Sequence, residues 1–284
     1  MPLALILSSY VAAARIGGGA QQYALAPFGV DPVLIPTVTF GKSPPRGGRG
    51  RLTEPDFFAH MLEDVASEGL FSLADVVITG HFSHPVQVEL AARAIDAIRT
   101  APRDMAFSPR PVIVVDPILG DEGVGLYVKP EVAEAVVAEL LPRADWLTPN
   151  LWELGHITGR ELSSTKQALA AAHALPCASL ITSAPAGDGE IGLICNSLEG
   201  ARLYAHRRLP RAPNGTGDLA TALLAARLLH GQSGFEAAEG AARGVFDAVW
   251  CALEWNAPQL PIVAMGERLV QPRAEVRMEV LHAP

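Results

Sequence analysis

The chain is poor in charge, poor in cysteine and free of the glycine signatures that mark the commonest nucleotide sites. Only 18% of its 284 residues are charged, and the formal net charge is −8. Such a chain has no general electrostatic footprint for nucleic acid or anionic membrane, so phosphate recognition must come from a local site. The three cysteines, Cys177, Cys195 and Cys251, lie far apart and form no CxxC pair or metal-like cluster. They read as buried, reduced thiols of a reducing compartment. No GxxxxGK[ST] segment occurs, which excludes a Walker-type site. Gly17-Gly18-Gly19 follows the first apolar run with the wrong spacing for a dinucleotide fingerprint, so hydride transfer loses its main support. The histidines show no HxxxH spacing, which argues against zinc. The apolar run Leu3–Leu7 is too short for a membrane span and lacks a basic flank, so it predicts a buried strand running into a glycine-rich turn. With no targeting segment visible, a cytoplasmic protein is expected.

What is present is hydrophobic and alternates in type. Hydrophobic residues make up 49% of the chain, and a domain of this size buries roughly three quarters of its unfolded surface. Leu3–Leu7, Val33–Pro36, Val76–Thr79, Val112–Val115, Trp146–Thr148 and Leu180–Thr182 read as strands whose continuous apolar character suits a parallel sheet covered on both faces. Between them Pro55–Ser67, Pro85–Arg99, Pro130–Leu140 and Thr165–Ala174 have helical periodicity. This alternation predicts a doubly wound α/β sandwich. Glu190–Cys195 and Ala201–Arg207 predict a hairpin, and helices follow from the glycine-rich segment at Asn214 and over Gly234–Trp255. Trp250 and Trp255 are expected to pack in or beside that last long helix. Residues Gly41–Arg51, GKSPPRGGRGR, predict a mobile surface loop, either a plain linker or a flap over a substrate.

Asn214-Gly215-Thr216-Gly217-Asp218 opens a predicted helix. Its glycines let successive N–H groups point at one place, and the helix adds its positive end. Such a hole suits phosphoryl oxygens, and Asp218 at its mouth can take a proton from an alcohol attacking a nucleotide γ-phosphorus. The plainer alternative makes Asp218 an N-cap and the glycines a turn. Two acidic clusters lie beyond predicted strand ends, Asp116 to Asp121 and Thr148 to Glu153. Asp116, Asp121 and Glu153 are candidates to hold a magnesium–nucleotide complex, directly or through water. Their alternatives are a turn at Asp116-Pro117 and a helix cap from Asn150 to Glu153. Arg207, Arg208 and Arg211 either screen phosphates or form a solvated charge run.

In order, D-P-x-x-G-D at Asp116, T-P-N-x-x-E at Thr148, Thr182-Ser183 and G-T-G-D ending at Asp218 resemble the ribokinase superfamily and, within it, the pyridoxal kinases. The resemblance runs from Leu5 to Pro272. It implies one ribokinase-like three-layer α/β/α sandwich over residues 1–284, around a mostly parallel sheet, with a flexible flap near 41–51. It implies ATP-dependent phosphorylation of the 5′-hydroxymethyl group of B6 vitamers, as in vitamin B6 salvage, with Mg2+, ATP as co-substrate, possible K+ and a homodimer. It makes Asp218 the base and the Gly215, Thr216 and Gly217 backbone the anion hole. Asp121 and Glu153 would serve magnesium, with Asp116, Thr148 and Thr182 near a monovalent cation and the phosphates. Asn150, Thr182 and Ser183 would contact nucleotide. Ser9 and Ile16 would meet the substrate ring, with Pro44 and His81 also lining its pocket.

The departures fall on the acceptor side. Ser8-Ser9-Tyr10 stands where pyridoxal kinases usually show Q-S-H, and Ser43-Pro44-Pro45 where they show H-T-G. His81 stands where a tyrosine commonly lines the pocket. Proline offers no backbone donor, and a site that loses a hydrogen bond can change its acceptor. A kinase for another small alcohol or heterocycle, or a non-catalytic binder of vitamer or nucleotide, are therefore the alternatives.

Overall fold

Apolar strands without polar alternation form the centre of the molecule. The computed structural model describes residues 1–282. The chain begins β1 (Leu3–Val11), α1 (Gly17–Leu25), β2 (Asp31–Phe40), β3 (Gly50–Leu52), α2 (Pro55–Ser67), α3 (Leu70–Leu73), β4 (Ala74–Thr79) and α4 (Pro85–Thr100). It continues through β5 (Val112–Val115), the small hairpin β6 (Gly120–Asp121) and β7 (Gly125–Leu126), α5 (Pro130–Ala135) and β8 (Trp146–Leu147). Next come α6 (Leu151–Thr158), α7 (Thr165–Ala172), β9 (Ala178–Pro185), β10 (Glu190–Ser197) and β11 (Gly200–Arg207). The last elements are α8 (Thr216–Leu229), α9 (Gly234–Glu254), α10 (Ile262–Met265), α11 (Glu267–Val270) and β12 (Arg277–Leu281).

Ten strands form one sheet in the order β12-β11-β10-β9-β8-β5-β4-β1-β2-β3. From β2 to β9 neighbours run parallel, and the pairs at both edges are antiparallel. Side chains alternate along β1. Ala4 and Ile6 join a core with Ala20 of α1, Leu223 of α8 and Ala241 of α9. Leu3, Leu5 and Leu7 join the opposite core with Phe58 of α2 and Ile95 of α4. Helices therefore cover both faces, and the expected α/β/α sandwich is what forms.

One ion pair locks the end of the sheet opposite the loops described below. Arg103 Nη2 lies 2.8 Å from the buried Asp75 Oδ1, which also accepts the Ser108 N–H at 2.9 Å. Asp75 Oδ2 takes the Leu3 N–H at 3.0 Å, so β1, β4 and the loop before β5 share one carboxylate.

Several expectations need correction. The glycine run after the first strand opens helix α1 rather than forming only a turn. Gly17 has φ +60°, and any side chain there would collide with Ser9, so glycine serves a close approach from which the helix starts. The helix expected over Pro130–Leu140 is α5 followed by a π-helical turn at Val136–Leu140, just before Pro142. Trp250 packs against Phe246, but Trp255 is 51% exposed. In the 41–51 loop, Pro44–Arg46 forms a 3-10 turn and Gly50–Leu52 pairs with Val38–Phe40. Pro45 belongs to the notable loop sequence, but its side chain lies outside the described residues.

Candidate active site

The sheet order reverses beside β1, whose neighbours β2 and β4 precede and follow the excursion through β3. In open α/β sheets ligands bind beyond the carboxyl ends of strands near such a reversal. Here the ends of β5 and β8 deliver Asp116 and Thr148 with Asn150, and the middle of β9 delivers Thr182, to one cavity of about 110 Å³. Glu153 enters from α6, and Gly215, Gly217 and Asp218 enter from the start of α8. Residues 102 positions apart in the chain thus share one cleft, as Asp116 and Asp218 do.

Asp218 is not an N-cap. Gly215 holds that position, at φ 97°, and makes no side-chain cap bond. A side chain at Gly215 would run into the Arg15 carbonyl, so this loop and the turn after β1 touch. Asp218 is buried in the first turn of α8, and its Oδ1 has no hydrogen-bond partner among the described residues. Burial pushes its carboxyl from 3.8 to about 6, and the Gly17 N–H offsets part of that rise. A buried carboxyl with one free oxygen and a pKa close to neutral is suited to general-base work.

Glu153 has a different character. Its Oε1 accepts the Leu119 N–H at 2.8 Å, and its Oε2 accepts the Asn150 N–H at 2.8 Å. Asn150 Oδ1 in return accepts the Glu153 N–H at 2.8 Å, a capping box, and Asn150 Nδ2 reaches the Gly120 carbonyl at 2.8 Å. The helix-cap reading of Asn150 and Glu153 therefore holds alongside their place in the cavity. Burial pushes the Glu153 carboxyl to about 7. The Asp116 carboxyl is also raised well above its usual range, first by burial and then by the charges of Asp218 and Glu153.

Asp121 is exposed on β6 and is absent from the cavity lining; its Oδ1 accepts the Glu122 N–H at 2.8 Å. Among the described residues no three His, Cys, Asp or Glu side chains are placed to hold a metal, so Asp116, Asp121 and Glu153 do not form a ready cage. A hydrated Mg2+ fits the site in another way. Asp116 is buried beside the charges of Asp218 and Glu153, which favours a cation, and magnesium keeps waters and phosphate oxygens as most of its ligands. Bound there, it would neutralise charge on phosphoryl oxygens.

A second cavity of about 370 Å³ shares Thr182 and Gly217 with the first. Thr182 and Ser183 both line it, and Ser183 has φ 57°, a left-handed conformation costly for serine, inside β9 where its pairing with β10 shifts register. Its walls include Ile191, Leu193, Phe246 and Val249, and its rim carries Arg208 and Arg211. Arg207 instead lies over the Trp250 ring, 4.5 Å from its centroid.

On the other side of Asp218, Ser9 is buried and Ile16 half-buried. Ile16, Ser43, Asn214, Arg15 and Arg46 bound a small cavity of about 30 Å³. Pro44 is exposed, and the buried flap residue is Ser43 at 4% exposure. His81 follows β4, donating its N–H to Ser8 Oγ at 3.3 Å while its Nε2 lies 3.1 Å from Ser83 Oγ. Burial pushes its imidazole down to about 4, so it is neutral at ordinary pH. Ser9, Pro44 and His81 line neither the small cavity nor the one around Asp218.

The family model described as phosphomethylpyrimidine kinase matches residues 91–263. The pyridoxine/pyridoxal/pyridoxamine kinase of Bordetella avium is 34% identical over 86% of this chain and 83% of its own. The chain belongs to the pyridoxal kinase family. The pyridoxal kinase PdxY of Rubrobacter xylanophilus is 29% identical over 94% of this chain and 93% of its own. The pyridoxal kinase of Leishmania donovani, solved with ADP and pyridoxamine, has a TM-score of 0.89 over 99% of this chain and 100% of its own. Its identity is 24%, and that likeness speaks for the fold.

Within this family frame, sequence reasoning missed Phe246, and in the loop it took Pro44 rather than Ser43 for the pocket residue. Phe246 and its neighbours on α9 have the spacing of ordinary core residues, and only the tertiary fold turns them to the second cavity. Ser43 stood out only as part of Ser43-Pro44-Pro45, and nothing in the sequence set its burial apart from that of Pro44.

Proposed function

We propose that this chain transfers the γ-phosphoryl group of ATP to the 5′-hydroxymethyl group of pyridoxal or a related B6 vitamer. The observation that carries the reading is the buried Asp218 carboxyl, with a free oxygen, at the mouth of the Gly215–Gly217 turn and in one cavity with Asp116 and Glu153. The larger cavity takes the nucleotide, with its base among Leu193, Phe246 and Val249 and its phosphates toward Thr182 and Gly217. The acceptor enters from the side of Ser9 and Ile16 and presents its hydroxyl to Asp218. Asp218 takes the hydroxyl proton as the oxygen attacks phosphorus, and the backbone N–H groups of the turn receive the phosphoryl oxygens. The B6 vitamers named for the relatives support the choice of acceptor.

Mg2+ carried in with ATP and K+ near Asp116, Thr148 and Thr182 belong to the same proposal. So does closure of the 41–51 flap over the acceptor, with Ser43 rather than Pro44 facing inward. A homodimer in the cytoplasm is the proposed setting. Three free cysteines, two of them buried, support a reducing compartment, and no described helix is long and apolar enough to cross a membrane. Coupled ADP detection with MgATP and a panel of pyridoxal, pyridoxine, pyridoxamine and other small alcohols tests the reading. Turnover confined to a non-vitamer alcohol, or tight nucleotide binding with no turnover of any acceptor, would overturn it.

A further inference from the structure

Thr221 stands on α8 three residues after Asp218, so the two side chains share a helix face one turn apart. Its side chain is fully buried, at 0% exposure. The Thr221 hydroxyl donates to Asp116 Oδ2 at 3.0 Å and lies 2.8 Å from Thr148 Oγ1. A hydroxyl has one proton to give. Since that of Thr221 goes to Asp116, Thr148 is the donor in the second bond. The Thr148 proton is then spent as well, and its oxygen turns only lone pairs toward the cavity it lines.

We propose that Thr221 is a positioning residue for phosphoryl transfer, fixing the Asp116 carboxylate and the Thr148 hydroxyl so that both present acceptor oxygens to a cation beside the phosphates. The inference rests on the kinase reading above. Its physical content is that one hydroxyl joins the ends of β5 and β8 to the helix that carries Asp218. Without it, Asp116 loses a charge-assisted hydrogen bond and Thr148 is free to rotate and point a proton into a site meant for a cation. The competing role is packing, in which the Thr221 methyl fills space and the hydroxyl is incidental.

Two variants separate these roles, because valine keeps the shape and loses the hydroxyl, whereas serine does the reverse. Full-length parent, Thr221→Val and Thr221→Ser are compared for kcat with pyridoxal and MgATP, and for calorimetric binding of MgADP in KCl. Loss of a buried hydrogen bond to a charged group predicts that Thr221→Val lowers kcat about tenfold or more, while the pyridoxal KM moves less than about threefold. On the same basis MgADP binding weakens at least about threefold in Thr221→Val, and Thr221→Ser stays within about threefold of the parent in both assays. A valine variant equal to the parent, or a serine variant no better than valine, overturns the proposal. Should the parent phosphorylate no B6 vitamer, the acceptor assignment fails, yet the order of the three MgADP affinities still decides the role of Thr221.

Discussion

Replacing Asp218 by asparagine keeps the outline of the side chain and removes its ability to accept a proton from an alcohol. A positioned general base contributes about 100- to 10,000-fold, so kcat should fall by that factor, or about 3 to 5 kcal/mol of barrier. Stability should move the other way. The Asp218 carboxyl is raised from 3.8 in the open chain to about 6 in the fold. Between those two values the folded protein holds a proton that the unfolded chain has released, so stability falls as pH rises through the window. Above it the cost of burying the charge is present in full. A shift of about 2 units corresponds to about 3 kcal/mol as an upper bound. Asparagine carries no such penalty, and at about pH 7.5 the variant should melt a few degrees higher than the parent. At about pH 5 the gain should shrink, because the parent carboxyl is by then mostly neutral. Coupled ADP release and thermal unfolding by circular dichroism read both effects. A variant within about fivefold of parental kcat, or one that melts lower at neutral pH, would refute the reasoning.

The same carboxyl sets the acid limb of the rate profile: kcat/KM should rise with pH around 6, and the residual rate of Asp218→Asn should lack that limb. Phe246→Ala should raise the KM for ATP about tenfold, by loss of apolar contact in the second cavity, with the vitamer KM nearly unchanged. Equal effects on both substrates would place the nucleotide elsewhere. Asp75→Ala leaves Arg103 without its carboxylate and two backbone N–H groups without an acceptor. It should cost about 3 to 5 kcal/mol in denaturant unfolding, and a loss below about 1 kcal/mol would show that the pair is expendable.

The parallel sheet was legible because its strands are buried on both faces and therefore show as unbroken apolar runs. Val112–Val115 and Pro55–Ser67 have the boundaries expected from pattern alone. Elements without a hydrophobic signature were harder. Helix α1 starts with three glycines, β3 is a three-residue edge strand rich in arginine and glycine, and β12 is almost wholly exposed. The site was legible where chemistry demands rare residue types beside glycine. Asp116, Thr148, Asn150, Glu153, Thr182 and Asp218 line one cavity, whereas Asp121 is exposed on β6 and outside that lining, although its charge still acts on Glu153. Spacing in the sequence cannot separate Asp121 from Asp116, because the β6–β7 hairpin on which Asp121 is exposed has only two residues in each strand. Thr221 was silent for a related reason. A threonine inside an alanine- and leucine-rich helix looks like filler until the fold brings Asp116 and Thr148 to its hydroxyl.

Phosphorus and proton NMR of the product mixture shows whether the phosphoryl group reaches the vitamer or water. With MgATP and pyridoxal, a phosphomonoester on the 5′-oxygen should form one-for-one with ADP. Inorganic phosphate appearing in step with ADP, and a vitamer left unmodified, would contradict transfer to the vitamer.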